Sequence, residues 1–364
     1  VKISTSLPVW SIAAPIVAWI LLVGSAIGLG ERLGGFYLLL LALGLFGGVL
    51  AAVFHAEVVA HRVGEPFGTL VLAVAVTAIE VALIVSLTIA GGEAAAGLAR
   101  DTVYAAVMII LNGMVGLCLL AGGTRHHEQS FGLYGVSAAL STLTAISVLT
   151  MILPNFTTTT PGPGYSGSQL IFIAVVSLVL YGSFVLMQTV RHRDYFLPEA
   201  GTSDEQVHAA SPPPRLAWIS GVLLLICLAG VVLLAKSLAP PLESAVEAMG
   251  APKALVGIII AGVVLLPEGI AAFQSARANR LQTSLNLALG SALAGIGLTI
   301  PAVAIVSLGA GWSLSLGLDA RSAVLLLLSI AVAMLTLGTG RTTAMHGVVH
   351  LVIFAVYLFT TIVP

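Results

Sequence analysis

LVLAVAVTAIEVALIVS, Leu70 to Ser86, is an apolar run with a single charged side chain, Glu80, near its centre. A run of this composition reads as a helix crossing a hydrocarbon layer. A carboxylate at the bilayer centre costs roughly 2.5–3.5 kcal/mol even on the lenient insertion scale. Such a group therefore faces a partner, a water-filled cavity or a transported ion. A second stretch, VGIIIAGVVLLPEGIAAFQ from Val256 to Gln274, carries Glu268 at a similar depth. One buried carboxylate in each half of the chain points to one site shared by two halves.

Composition agrees. The chain has 364 residues, of which 59% are hydrophobic and 8% charged. A soluble domain carries about a quarter charged residues, so this chain cannot clothe itself in a solvated surface. It reads as an all-α polytopic membrane protein whose surrounding partner is membrane lipid. A formal net charge of -1 leaves no basic field for nucleic acid. Cys118 and Cys227 both fall inside apolar runs and read as small hydrophobes, not as a disulfide or metal pair. After Lys2 the first apolar segment lacks a small-residue cleavage site, and it reads as a retained helix.

Eleven stretches are long and apolar enough to span, near 8–29, 36–54, 67–90, 102–122, 132–153, 168–190, 215–236, 253–276, 283–308, 322–338 and 345–363. Between the sixth and seventh lies the one long polar segment, RHRDYFLPEAGTSDEQVHAASPPPR, Arg191 to Arg215. The expected organisation is an extra N-terminal helix (1–30), a first five-helix repeat (36–190), a cytoplasmic linker (191–214) and a second repeat (215–364). Five is odd, so the two repeats must enter the membrane in opposite directions, the plan of many secondary transporters. Lysine and arginine placement favours a cytoplasmic N-terminus in a cell (inner) membrane. That side would hold Lys2, Arg62, Arg125, Arg191, Arg193, Arg215, Arg277, Arg280 and Arg341. The other would hold Arg32, Arg100, Lys236, Lys253 and Arg321.

No lysine or arginine falls deep in a predicted span to neutralise Glu80 or Glu268. Two carboxylates close together repel when both are ionised. Protons on the carboxylates relieve that repulsion, and so does a cation between them. A site that holds protons or a metal ion, but not both, is the core of an antiporter. Carboxylate, carbonyl and hydroxyl oxygens suit hard cations such as Ca2+, and no thiolate or imidazole is placed to favour zinc or copper. Thr77 lies one turn before Glu80 on the same face. Pro267, just before Glu268, kinks a helix and frees a carbonyl. Asn112, Asn286, Gly290, Ser291, Thr299 and Pro301 follow in the next helix of each half. Of these, Asn112 and Ser291 are the candidate polar ligands and Gly290 a candidate hinge.

The histidines are less specific. His55 and His61 flank Glu57 in FHAEVVAHRVGEP, a candidate proton relay at the cytoplasmic side, although a solvated interface explains them as well. His346 and His350 have i, i+4 spacing at the start of the last helix, where interfacial packing is the simpler reading than metal. Glu65-Pro66 looks like a helix start.

These residues carry a resemblance. FHAEVVAHRVGEPFGTLVLAVAVTAIEVALI, Phe54 to Ile84, resembles the first signature of the bacterial ChaA-type calcium/proton exchangers, within the CAX family of the cation/calcium exchanger superfamily. LLPEGIAAFQSARANRLQTSLNLALGSALAGIGLTIP, Leu265 to Pro301, resembles the second, and the LGTGRT run ending at Thr342 also fits. The resemblance implies eleven helices in the arrangement above. It also implies exchange of Ca2+ for H+ at a site containing Glu80 and Glu268. Many relatives have asparagine three residues before each glutamate, where this chain has Thr77 and Leu265. The acidic inter-repeat segment is reduced to Glu199, Asp204 and Glu205. ChaA-type members are associated with Na+ and K+ as well as Ca2+.

The expected function is thus a Ca2+/H+ antiporter with no cofactor, its partners being small inorganic cations. The alternative is a Na+(K+)/H+ antiporter on the same architecture. An intramembrane hydrolase fits less well, because no Ser-His arrangement occurs at membrane depth, and a passive channel would leave the titratable pair without a purpose. Oligomeric state is not legible in the sequence.

Overall fold

The structure, a computed structural model, describes residues 7–64, 67–92, 96–196, 212–250, 252 and 254–363. Among the described residues eleven long helices follow one another: α1 (Val9–Ala26), α2 (Gly35–Val63), α3 (Phe67–Gly91), α4 (Leu98–His126), α5 (Leu133–Phe156), α6 (Gly167–Arg191), α7 (Pro214–Ala248), α8 (Ala254–Arg277), α9 (Leu281–Ala310), α10 (Ala320–Leu337) and α11 (Ala344–Ile362). Ten are long and apolar enough to cross a membrane, and in α3 the described apolar portion is Thr77–Ile89. Lys2, Glu65, Pro66, Lys253 and the linker residues Glu199, Asp204 and Glu205 lie outside the described residues.

Two helices outrun their expected bounds. α2 continues to Val63 and so takes in His55, Glu57 and His61. α7 continues to Ala248 through Pro240 and Pro241. Hydropathy marks where a helix leaves lipid, whereas backbone hydrogen bonding decides where it ends. The adjacent prolines remove only the donors that would reach the carbonyls of Lys236 and Ser237.

The chain forms two compact units: Val1–Leu87 with Glu205–Val256, and Thr88–Asp204 with Gly257–Pro364. Each unit therefore draws on both halves of the sequence. In the first, α2 lies along α7 and α1 covers the pair. Small residues permit the approach: a Cβ at Gly48 would lie 3.1 Å from Val231 Cγ2. The Trp19 indole donates to the Ile226 carbonyl at 3.3 Å, and the Tyr37 hydroxyl donates to that of Leu21.

In the second unit α4 is the most buried span, with α11 along one side and α9 packed against α5 and α6. A Cβ at Gly347 would sit 2.4 Å from the Leu120 backbone nitrogen. Only glycine lets α11 come this close to α4. One end of the unit carries a short antiparallel pairing that the sequence did not suggest, β1 (Glu128–Ser130) with β2 (Arg341–Thr343). The Gln129 side chain donates from there to the Ala276 carbonyl and to Asn279 Oδ1, both at 2.9 Å, fixing the end of α8. Nearby, Gln282 accepts from the Gly132 N–H and donates to Asn286 (3.0 Å), which donates to the Phe196 carbonyl. Asn286 thus secures a turn. At the other end Arg100 binds Asp101, Ser315 and the Gly317 carbonyl.

Asp319 caps α10, accepting from the Ser322 N–H at 3.0 Å and the Ser322 hydroxyl at 2.7 Å. Burial works against its ionisation, but those hydrogen bonds and the Arg321 charge outweigh it and hold the carboxyl below the usual carboxylate range.

Two outcomes follow for stability. Gly347→Ala lowers the thermal midpoint in detergent by several degrees, since overpacking costs about 1–3 kcal/mol; an unchanged midpoint refutes the close contact. Asp319→Ala costs about 1 kcal/mol at neutral pH. That deficit is fully present above the unfolded-state carboxyl pKa and disappears as pH falls through the depressed folded one. Melting curves of both proteins against pH should converge in acid, and a constant gap would contradict the cap.

Candidate functional site

Glu268 sits mid-way along α8, directly after the buried Pro267. Proline has no N–H, so the carbonyl of Val263, four residues earlier, loses its helical donor. Glu268 Oε2 is enclosed and has no hydrogen-bond partner among the described residues. The Ser291 hydroxyl, on α9, lies against the same carboxyl. Beside Ser291, a Cβ at Gly290 would meet nothing within 4 Å, so α9 has open space there. Carboxylate, hydroxyl and freed carbonyl thus come from two adjacent stretches of one unit, and all three donors are oxygens.

Two close approaches set the level of this group. A Cβ at Gly257 would lie 3.5 Å from Thr102 Oγ1, and one at Gly269 would lie 3.4 Å from Met114 Cε. The contacts are twelve residues apart on each helix, so α8 and α4 run parallel and in step. That direction is expected of spans separated by four crossings. Asn112 and Glu268 consequently lie within a turn of the same height.

Asn112 does not, however, meet Glu268. It occupies a π-helical turn of α4, Ile109–Met114, and is wholly buried. Its Nδ2 donates to Ser329 Oγ on α10 at 2.8 Å, and its Oδ1 is 3.3 Å from His350 Nδ1 on α11. Met114 faces α8 and Asn112 faces α10 and α11, from opposite sides of one turn.

Glu80 and Thr77 belong to the first unit. Both are buried, one turn apart on α3, and neither side chain is free. His55, expected near solvent, is wholly buried, because α1 covers this stretch of α2. Its Nε2 is 3.0 Å from the Ser11 carbonyl and its Nδ1 is enclosed without a partner among the described residues. Glu57 is half-buried and His61 exposed. Spaced i, i+4, these two share a helix face that His55 does not. Among the described residues no group of three or more His, Cys, Asp or Glu is placed to hold a metal.

Sequence reasoning passed over Ser329 and Thr336 and read His350 with His346 as interfacial. His350 is wholly buried and its Nε2 is 2.9 Å from Thr336 Oγ1. His346 instead caps α11, its Nδ1 accepting from the Thr343 N–H at 3.3 Å. The i, i+4 spacing was the one available signal, but partners so distant in sequence could not be read from it.

Comparison with known proteins bears on the whole chain. Residues 33–190 and 219–363 match the family described as sodium/calcium exchanger protein. The chain is 50% identical to the Sinorhizobium fredii protein y4hA, named no more closely than an ionic transporter, over 99% of this chain and 98% of that one. It is 35% identical to the Escherichia coli sodium-potassium/proton antiporter ChaA, over 88% of this chain and 87% of that one. Two solved structures share the fold: native YfkE (TM-score 0.72, 17% identity, 96% and 99% of the two chains) and the H+/Ca2+ exchanger CAX (TM-score 0.70, 18% identity, 96% and 88%). Ten helices long and apolar enough to cross a membrane, among the described residues, and a family match covering most of the chain lead to one conclusion: this chain is a multi-pass membrane protein of the sodium/calcium exchanger protein family.

Proposed function

We propose that the chain is a secondary active antiporter, a transporter and not an enzyme, that exchanges cytoplasmic Ca2+ for external H+. The observation that carries this reading is Glu268 Oε2, enclosed and without a hydrogen-bond partner among the described residues, with the Ser291 hydroxyl against the same carboxyl. A carboxylate enclosed in an apolar medium with one oxygen unsatisfied takes up a proton or binds a cation, since the charge is too costly to keep. Exchange of one occupant for the other is the elementary act of an antiporter.

In this reading Glu80, with Thr77 one turn away, completes the site from the first five-helix repeat (36–190), and Glu268 with Ser291 supplies it from the second (215–364). Both glutamates release protons toward the cytoplasm and take a cation in the inward-facing state. Reorientation then exposes the site, and external protons displace the ion. Pro267 and Gly290 give α8 and α9 room to adjust. Glu57, with His61 on its face, accepts protons at the cytoplasmic end. The linker 191–214 and the N-terminus lie in the cytoplasm, and the membrane is the cell (inner) membrane.

Calcium is favoured by two carboxylates and hydroxyl oxygens as donors. Exchange of Na+ or K+ for H+ is the second reading, favoured by the name of the E. coli relative, which is 35% identical. Proteoliposomes with a trapped pH indicator distinguish them: CaCl2, NaCl and KCl are added separately, and the salt that moves protons identifies the ion. Glu80→Gln and Glu268→Gln each reduce that flux to background while the protein still inserts. Flux at the wild-type rate from either variant refutes the shared site. A companion measurement concerns stability. Glu268→Gln replaces an enclosed charge-bearing group by a neutral one, so its thermal midpoint at pH 8 equals or exceeds that of the wild type. A lower midpoint would mean that the carboxylate serves the fold and not the ion.

A further inference from the structure

We infer that His350, with Thr336 and Ser329, is a positioning network for the π-helical turn of α4 that backs Glu268, a role resting on the assignment of Glu268 to the ion site. Ser329 Oγ donates to the Leu325 carbonyl at 2.7 Å, so toward Asn112 it can only accept, and Asn112 Nδ2 donates to it at 2.8 Å. The orientation of the Asn112 amide is thereby fixed, with Oδ1 toward His350. His350 Nδ1 therefore carries the ring proton of the neutral imidazole, leaving Nε2 as acceptor. Nε2 then holds a buried lone pair that the one Thr336 hydroxyl proton satisfies at 2.9 Å, in preference to the Val332 (2.9 Å) and Ala333 (3.3 Å) carbonyls, which already accept within the helix.

The resulting chain runs Thr336 to His350 to Asn112 to Ser329 to the Leu325 carbonyl, every link donating in one direction. It joins α10 and α11 to the π turn Ile109–Met114. One-directional chains reinforce each link, and π-helical turns are costly features that persist where function uses them. The opposite face of this turn presents Met114 to Gly269, the residue after Glu268. The turn is thus gripped on one face and bears on the Glu268 helix with the other. Close packing keeps the grip tight, since a Cβ at Gly116 would lie 3.0 Å from His350 Cβ. None of these side chains touches Glu268. Their effect on an ion passes through Met114 and α8.

The test compares His350→Leu, which breaks both links, with His350→Gln, whose amide can donate to Asn112 and accept from Thr336. Both are assayed in proteoliposomes for proton flux driven by CaCl2, NaCl and KCl. His350→Leu should raise the half-saturating concentration of the active salt about tenfold, the scale of a hydrogen bond lost in a buried network, with the maximal rate much less affected. His350→Gln should restore it to within about threefold, and His350→Leu combined with Asn112→Leu should be no worse than either alone. Thr336→Val offers the same comparison if His350→Leu does not insert. Wild-type half-saturation in the Leu and Val variants, additive losses, or equal behaviour of Leu and Gln overturns the network's role. If Glu268→Gln exchanges normally, the site assignment falls instead, whatever the histidine variants do.

Discussion

A carboxyl oxygen shut inside an apolar helix bundle must be neutralised by something, and Glu268 makes this demand. Elsewhere in the second unit deep polar groups find partners: Asn112 has Ser329 and His350, Thr150 has the Ile146 carbonyl, and Ser177 has that of Ile173. Among the described residues Glu268 Oε2 is left over, together with the amide oxygen of Gln129 and the hydroxyls of Tyr104, Ser147, Ser284 and Thr299. A neutral group left unsatisfied is an inconvenience, whereas an unsatisfied carboxylate oxygen is a demand for a proton or a metal. The Ser291 hydroxyl and the freed Val263 carbonyl add oxygens in the same stretch.

The long helices were legible because lipid imposes one simple requirement, a sufficient length of apolar helix. The two glutamates stood out for the same reason, each a single charge in such a run. The ends of α2 and α7 were misjudged because polarity, not helicity, sets the limit of a hydropathy window. The β1–β2 pairing escaped notice because three-residue strands joining residues 128–130 to 341–343 leave no local periodicity to detect. The surroundings of His350 were hidden more deeply. Asn112 lies 238 residues from its histidine and 217 from its serine, so only the packing of α4 against α10 and α11 brings them together.

The same limit applies to Asn112 itself. Its position in the helix after Glu80 made it a natural candidate ligand, and its height agrees with that of Glu268. Direction is what a sequence does not give. A π turn contains an extra residue, so the face on which a side chain emerges cannot be counted from either end of the helix. The amide points to α10 and α11, where its two ends are already engaged.

The grip of Gln129 on the last turn of α8 has a mechanical corollary. With Ala276 and Asn279 both pinned to the strand pair, α8 cannot be drawn along its own axis like a piston without tearing that end loose. The freedom left to it is that of a rod fixed at one tip, bending where Pro267 has already weakened it. Displacement would then be smallest near Ala276 and grow toward the far end, with Glu268 riding next to the fulcrum.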